Sequence, residues 1–129
     1  MIRQFTILAA ALAALSALPA RADGDPSKGE KVFKKCAACH STEAGGPSKA
    51  GPNLHDVVGR TSGTLEGFTY SDAMKKLGEE GHVWTPEEIQ KFVENPKQMV
   101  PGTKMTFIGL KKPEERADLV AYLQSLEAQ

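Results

Sequence analysis

The chain's two cysteines stand three apart in "KKCAACHS", as Cys36 and Cys39, and His40 follows directly. Two thiols and an imidazole at that spacing admit four chemistries. A dithiol redox centre uses C-x-x-C, but in a βαβ context that the surrounding residues do not supply. A structural zinc site needs two further ligands at suitable spacing; His55 and His82 are available, yet neither forms a second knuckle. A plain disulfide leaves His40 without a task. Covalent attachment of haem uses all three residues, since C-x-x-C-H is its signature. Each thiol adds across one vinyl group, and the next residue is set beneath the iron, where an imidazole nitrogen can ligate it.

Haem iron has a second axial face, and three methionines follow the motif. Met74 sits with Ala73 and Leu77 on a short helical stretch and reads as core. Met99 and Met105 lie in "NPKQMVPGTKMTF", a segment broken by two prolines and a glycine. A loop of that kind can carry a thioether to the metal, and the residues alone do not separate the two.

The elements that must position these groups are helical. In "GDPSKGEKVFKKCAACH", Asp25 can cap and Pro26 occupies the first helical position; Val32, Phe33 and Cys36 make an apolar stripe. In "TPEEIQKFVEN", Thr85 and Glu88 have capping-box spacing, Ile89, Phe92 and Val93 face inward, and Pro96 stops the helix. "KPEERADLVAYLQSLEAQ" starts at Pro113, with acids in its first turn and Leu119, Val120, Leu123 and Leu126 on one face. A shorter helix is expected over 71–77. No run alternates as a strand would. From Ser41 to Phe68 the chain is dense in Gly, Pro, Ser and Thr without period. The spacing therefore predicts a small all-α domain whose first and last helices cross. Its long loops need something else to organise them, and a large apolar ligand would serve.

The 129 residues suffice for one domain. "MIRQFTILAAALAALSALPARA" has the basic start, apolar run and Ala20-Arg21-Ala22 ending of a secretory signal. Its apolar run of about 16 residues is short for a span needing roughly 20. Residues 1–22 are thus expected to be cleaved, leaving 23–129 as the domain. Of 16 basic residues Arg3 and Arg21 leave with the signal, so 14 remain against 16 acidic ones, a net of −2. That balance argues against nucleic acid as a partner.

Over nearly its whole mature length the chain resembles the soluble class I cytochromes c, mitochondrial and bacterial periplasmic. The resemblance rests on "GDPSKGEKVFKKCAACHS", "AGPNLHDVVGR", "GFTYSDAMKK", Trp84, "ENPK" and "PGTKMTFIGLKKPEERADLVAYL". It implies three main helices and long loops packed around one covalent haem c, with Cys36 and Cys39 as thioether donors. It also implies His40 and Met105 as axial ligands, and gives Met99 no ligating role. Pro52 would accept the His40 ring N–H, while Arg60, Tyr70, Trp84 and Thr103 would hold the propionates. Phe107 would stand beside the exposed haem edge, ringed by Lys35, Lys49, Lys97, Lys104, Lys111 and Lys112 as a docking face. His55 and His82 read as ordinary surface residues. One departure is Phe92, where many relatives have a tyrosine whose hydroxyl approaches the methionine sulfur.

A His/Met pair fills both axial positions, which implies electron transfer rather than catalysis. A peroxidase or a gas-sensing haem module would need an open position. Methionine sulfur favours ferrous iron and raises the potential. The resemblance implies a monomeric periplasmic one-electron carrier between membrane redox complexes. Its donor would be a quinol:cytochrome c oxidoreductase, and its acceptor a terminal oxidase or a photosynthetic reaction centre.

Overall fold

The computed structural model describes residues 24–128. The expected leader, 1–22, and the domain start at residue 23 lie outside the described residues. Asp25 caps α1 (Pro26–Phe33), its Oδ1 accepting the N–H groups of Ser27 at 2.8 Å and Lys28 at 3.4 Å. The sequence segment extends this helix to His40, but regular helix ends at Phe33. Beyond it the N–H groups of Cys36 and Ala37 both donate to Phe33 O, and those of Cys39 and His40 both to Cys36 O. These tighter turns wind the two cysteines and the histidine into a compact knot.

The short helix is real as α2 (Asp72–Glu79), capped by Ser71 Oγ accepting from Met74 N–H at 3.1 Å. In α3 (Pro86–Glu94), Thr85 Oγ1 accepts from Glu88 N–H at 3.2 Å. Only that half of the expected capping box forms, because the Glu88 carboxylate reaches His82 instead. Pro96 ends α3 as expected, yet also opens a short α4 (Pro96–Met99) that the sequence reading lacks. Its missing N–H breaks one helix, while its fixed φ suits the first position of the next, capped by Asn95 Oδ1 accepting from Gln98 N–H at 3.2 Å. Helix α5 (Pro113–Ser125) runs into a 3₁₀ turn at Leu126–Ala128. Among the described residues there is no strand, only one antiparallel bridge between Thr61 and Val83.

Helices α1 and α5 cross, as the apolar faces predicted, and glycine sets how closely. A Cβ on Gly29 would strike the Asp118 carbonyl oxygen and approach Tyr122 Cβ at 2.7 Å. Asp25 N–H donates to Asp118 Oδ1 at 2.8 Å beside this crossing, and the Phe33 and Tyr122 rings meet at 5.4 Å. Leu119, Val120 and Leu123 are buried on α5 together with Ile89, Phe92 and Val93 on α3. Each such apolar side chain contributes on the order of 2 kcal/mol by leaving water.

The long loop is organised partly by its own polar groups. Asn53 is buried; its Nδ2 donates to Glu43 O at 2.8 Å and Gly46 O at 3.0 Å, and its Oδ1 accepts from His55 N–H at 2.8 Å. The Arg60 guanidinium then donates to the carbonyls of Asn53 at 3.0 Å and His55 at 2.6 Å. One amide and one guanidinium thereby satisfy backbone groups that no secondary structure serves.

Candidate functional site

A cavity of about 380 Å³ opens between the 36–40 knot, the organised loop, α2, α3, α5 and the 103–107 segment. Cys36, Cys39 and His40 line it, with Met105 and Phe107, and so do Pro52, Arg60, Tyr70, Trp84 and Thr103. Its remaining surface is mostly apolar: Phe33, Leu54, Val57, Met74, Phe92, Leu119 and others. The volume falls within the range of roughly 300–1,000 Å³ usual for cofactor and ligand sites. Met99 is half-buried against the core and does not line the cavity, whereas Met74 both lines it and is buried on α2.

The imidazole is held in one orientation. His40 Nδ1 lies 2.7 Å from Pro52 O, so the ring donates its Nδ1–H there and keeps the Nε2 lone pair free. Burial pushes the His40 pKa down, with the Pro52 bond partly opposing it, which favours the neutral ring that can bind a metal. Gly51 makes room for that ring. A Cβ there would strike His40 Cε1 and lie 2.8 and 2.9 Å from Nδ1 and Nε2. The turn is clamped by Gly51 N–H donating to Cys39 O at 2.8 Å and Lys49 Nζ donating to Ala37 O at 3.2 Å. Sequence reasoning missed Gly51, since Gly-Pro reads as a turn and says nothing of a ring behind it.

The Cys36 thiol is a poor nucleophile as it stands. Burial pushes the Cys36 thiol up to about 11, only partly opposed by Lys35, while Cys39 is exposed. A dithiol redox centre depends on a lowered thiol pKa, so this pair is unsuited to that chemistry. Among the described residues no group of three or more His, Cys, Asp and Glu could hold a metal ion, which removes the zinc alternative there.

Met105 rides on a defined turn. Val100 O accepts from Thr103 N–H at 3.0 Å, with Pro101 second and Gly102, at φ 90°, third; this is the arrangement that calls for glycine. Thr103 Oγ1 then accepts from Met105 N–H at 3.3 Å.

Arg60 is the cavity's half-buried cation. Burial pushes its pKa down, offset in part by Tyr70 and Asp56, and a guanidinium stays charged regardless. Among the described residues no carboxylate lies within ion-pair distance of it. A fixed positive charge on an apolar cavity wall fits a ligand with an acidic edge. Tyr70 packs edge-on against Phe68 at 4.8 Å, and its hydroxyl accepts from Leu65 N–H at 3.3 Å. Trp84 packs at a tilt of 47° against Phe92, centroids 5.0 Å apart, so the residue at the position of the expected tyrosine serves as wall rather than donor.

Two expectations need correction. His55 and His82 are not ordinary surface residues: their side chains are only 13 % and 14 % exposed. His55 Nδ1 bonds Thr42 O at 3.1 Å, and His82 is held from both ring nitrogens. Loops fold back over both rings, which local sequence cannot reveal. Of the six lysines expected to form a docking face, Lys35 and Lys104 border the cavity, and all six are exposed. Four are tethered: Lys35 to Glu115 at 3.7 Å, Lys49 to Ala37 O at 3.2 Å, Lys104 to Thr69 O at 3.1 Å and Lys111 to Glu94 O at 2.8 Å.

Donors, imidazole, thioether, cation and apolar walls thus share one cavity, and a haem suits all of them. Comparison with known proteins agrees. The family model described as Cytochrome c matches residues 26–127. A cytochrome c2 of Agrobacterium tumefaciens is 50 % identical over 101 residues, covering 78 % of this chain and 91 % of the relative. A cytochrome c of Chlamydomonas reinhardtii is 53 % identical over 106 residues, 81 % and 92 % of the two chains. A cytochrome c2 of Rhodomicrobium vannielii is 47 % identical over 110 residues, 85 % and 86 %.

Proposed function

The chain belongs to the cytochrome c family, and from that premise we propose a periplasmic one-electron carrier working between membrane redox complexes. At the family's level it is a haem-containing electron carrier with one covalently attached haem c. When bound, the haem supplies an iron that takes up and gives back a single electron.

This chain's residues divide the remaining work. Cys36 and Cys39 would hold the group at the rim, His40 would present Nε2 because Pro52 occupies Nδ1, and Met105 would offer sulfur from the loop braced by Thr103. Arg60, with Tyr70, Trp84 and Thr103, meets the acidic edge. Phe33, Leu54, Val57 and Phe92 exclude water, so a change of charge inside rearranges little solvent. With His40 and Met105 both committed to the iron, no coordination position would remain for a substrate, which suits carriage rather than catalysis.

The observation that carries this reading is the shared cavity: His40, fixed in one tautomer, and Met105 line it, and Met99 does not. Replacing Met105 with Ala should abolish the long-wavelength sulfur-to-ferric-iron band and open a coordination site to peroxide. Met99→Ala and Met74→Leu should keep the band. Loss of the band in Met99→Ala or Met74→Leu with its retention in Met105→Ala would overturn the assignment.

The docking face is Lys35, Lys49, Lys97, Lys104, Lys111 and Lys112, with Ile108, 84 % exposed, between them in sequence. Such a face suits acidic partners, a quinol:cytochrome c oxidoreductase as donor and a terminal oxidase or photosynthetic reaction centre as acceptor. The chain would meet them as a monomer. Clustered charge can raise association rates by roughly 10–1,000-fold at low salt.

A further inference from the structure

Behind the Trp84 wall lies a hydrogen-bonded group that takes no part in lining the cavity. His82 Nδ1 pairs with Ser62 Oγ, and His82 Nε2 stands 2.9 Å from Glu88 Oε2. Ser62 is 1 % exposed. The imidazole meets the Trp84 ring edge-on, with centroids 4.7 Å apart at 84°. We propose that Ser62, His82 and Glu88 form a proton-holding triad that ties the carrier's midpoint potential to pH, with His82 as a positioning residue behind Trp84. The proposal rests on the carrier reading above.

The geometry gives the ring two satisfied states. Neutral, its Nε2–H donates to Glu88 and its Nδ1 accepts the Ser62 hydroxyl. Protonated, both nitrogens donate, and the Ser62 hydrogen must turn elsewhere in a place closed to water. A carboxylate at one ring nitrogen and a buried hydroxyl at the other make the two protonation states different hydrogen-bond arrangements of one network.

Two routes connect the ring to the cavity. One is electrostatic, since a single indole separates the imidazole from the cavity and screening by solvent is weak there. The other is mechanical. Ser62 N–H donates to His82 O at 3.0 Å, Trp84 N–H to Arg60 O at 2.9 Å and Gly59 N–H to Trp84 O at 2.9 Å, so His82, Trp84 and Arg60 move as one bridge. Glu88 has left its own capping box to reach the ring; Thr85 N–H donates to Val83 O instead.

Charged groups on every element packed against the ring are few. From α3 comes Glu88, with Glu87 exposed beside it. From the bridge comes Arg60, turned toward the Asn53 and His55 carbonyls. The end of α2 gives its Leu77 carbonyl to His82 N–H at 3.2 Å and carries exposed Lys76, Glu79 and Glu80. Glu88 is the ion-pair partner within 4 Å among the described residues.

The sign follows from charge. A proton on His82 favours the state with one electron more, so raising the pH strips the proton and lowers the potential. Linkage requires the reverse effect as well: reduction must strengthen proton binding at His82.

The test is redox titration of the haem-loaded protein from about pH 5 to about pH 8, with the His82 ring resonances followed by NMR in both oxidation states. The wild-type potential should fall across this range, and the His82 resonances should shift at higher pH in the reduced protein. H82Q should show a flat potential. E88Q should move the fall to lower pH, and it keeps the test valid if H82Q does not fold. A wild-type slope surviving in H82Q, or His82 resonances shifting at one pH in both oxidation states, overturns the triad. A normal spectrum with a flat wild-type potential overturns the triad alone; protein without bound haem overturns it together with the carrier reading.

Discussion

Replacing Gly51 with Ala places one methyl group against the His40 ring, the proposed iron ligand. The added Cβ would strike His40 Cε1 and stand 2.8 and 2.9 Å from the two ring nitrogens. Carbon-centred contacts are comfortable at about 3.5–4.0 Å, so ring or turn must retreat by about 1 Å. Neither is free to do so: Pro52 O holds the ring at 2.7 Å, and Gly51 N–H is bound to Cys39 O at 2.8 Å. Overpacking of this kind costs about 1–3 kcal/mol, and a broken Pro52 bond adds about 1 kcal/mol. The sum, roughly 2–4 kcal/mol, should lower the urea midpoint by roughly 1–2 M at the usual slope. Gly46→Ala, which meets only the Glu43 side chain and carbonyl at 3.1–3.3 Å, is the comparison. The midpoint potential should also move in Gly51→Ala, since a rotated imidazole is a different ligand. Unfolding within about 0.5 kcal/mol of wild type, the range of neutral surface changes, with an unchanged potential would refute the reasoning.

Gly29→Ala drives a Cβ into the Asp118 carbonyl at the α1–α5 crossing, and should destabilise by about 1–3 kcal/mol in denaturant unfolding with little change in the spectrum. Asn53→Ala removes three side-chain hydrogen bonds from a buried site, and a loss of roughly 2–4 kcal/mol is expected, with faster amide exchange across the 41–60 loop. Lys97→Glu should slow reaction with an acidic redox partner at low salt while Lys76→Glu does not. Equal effects at both would mean that net charge alone governs the encounter. N-terminal sequencing of exported protein should read Asp-Gly-Asp, with Asp23 first, and a start beyond Asp25 contradicts the leader boundary.

What local sequence encodes, local sequence disclosed. Proline at the first position and a capping side chain before it announced α1 and α3, and the spacing of Leu119, Val120, Leu123 and Leu126 announced the buried face of α5. The cavity's contents were legible too, because C-x-x-C-H is a contiguous motif. The failures share a different cause, since each depends on a partner distant in the chain or on two signals in one residue. Pro96 both stops α3 and starts α4, and only the first meaning was read. Glu88 had the right spacing for a capping box, but His82 competes for its carboxylate. His55 and His82 sit in loops where histidine is usually wet, and the folding-back of those loops buries them. Gly29 and Gly51 carry no side chain to signal the helix carbonyl and the imidazole lying against them. Asn53 bonds residues ten and seven positions earlier, a pattern without periodicity. The loop it organises had suggested a large apolar ligand as organiser; the polar network shares that task.

The central claim is that one covalently held haem, ligated by His40 and Met105, carries single electrons. Potentiometric titration of the purified protein, followed by absorption after acid–acetone extraction has left the colour on the polypeptide in a parallel sample, tests it most directly. The account predicts a single one-electron transition between two low-spin states, with the long-wavelength sulfur band present only in the oxidised form. Colour lost to the extract, or a high-spin spectrum without that band, would contradict it.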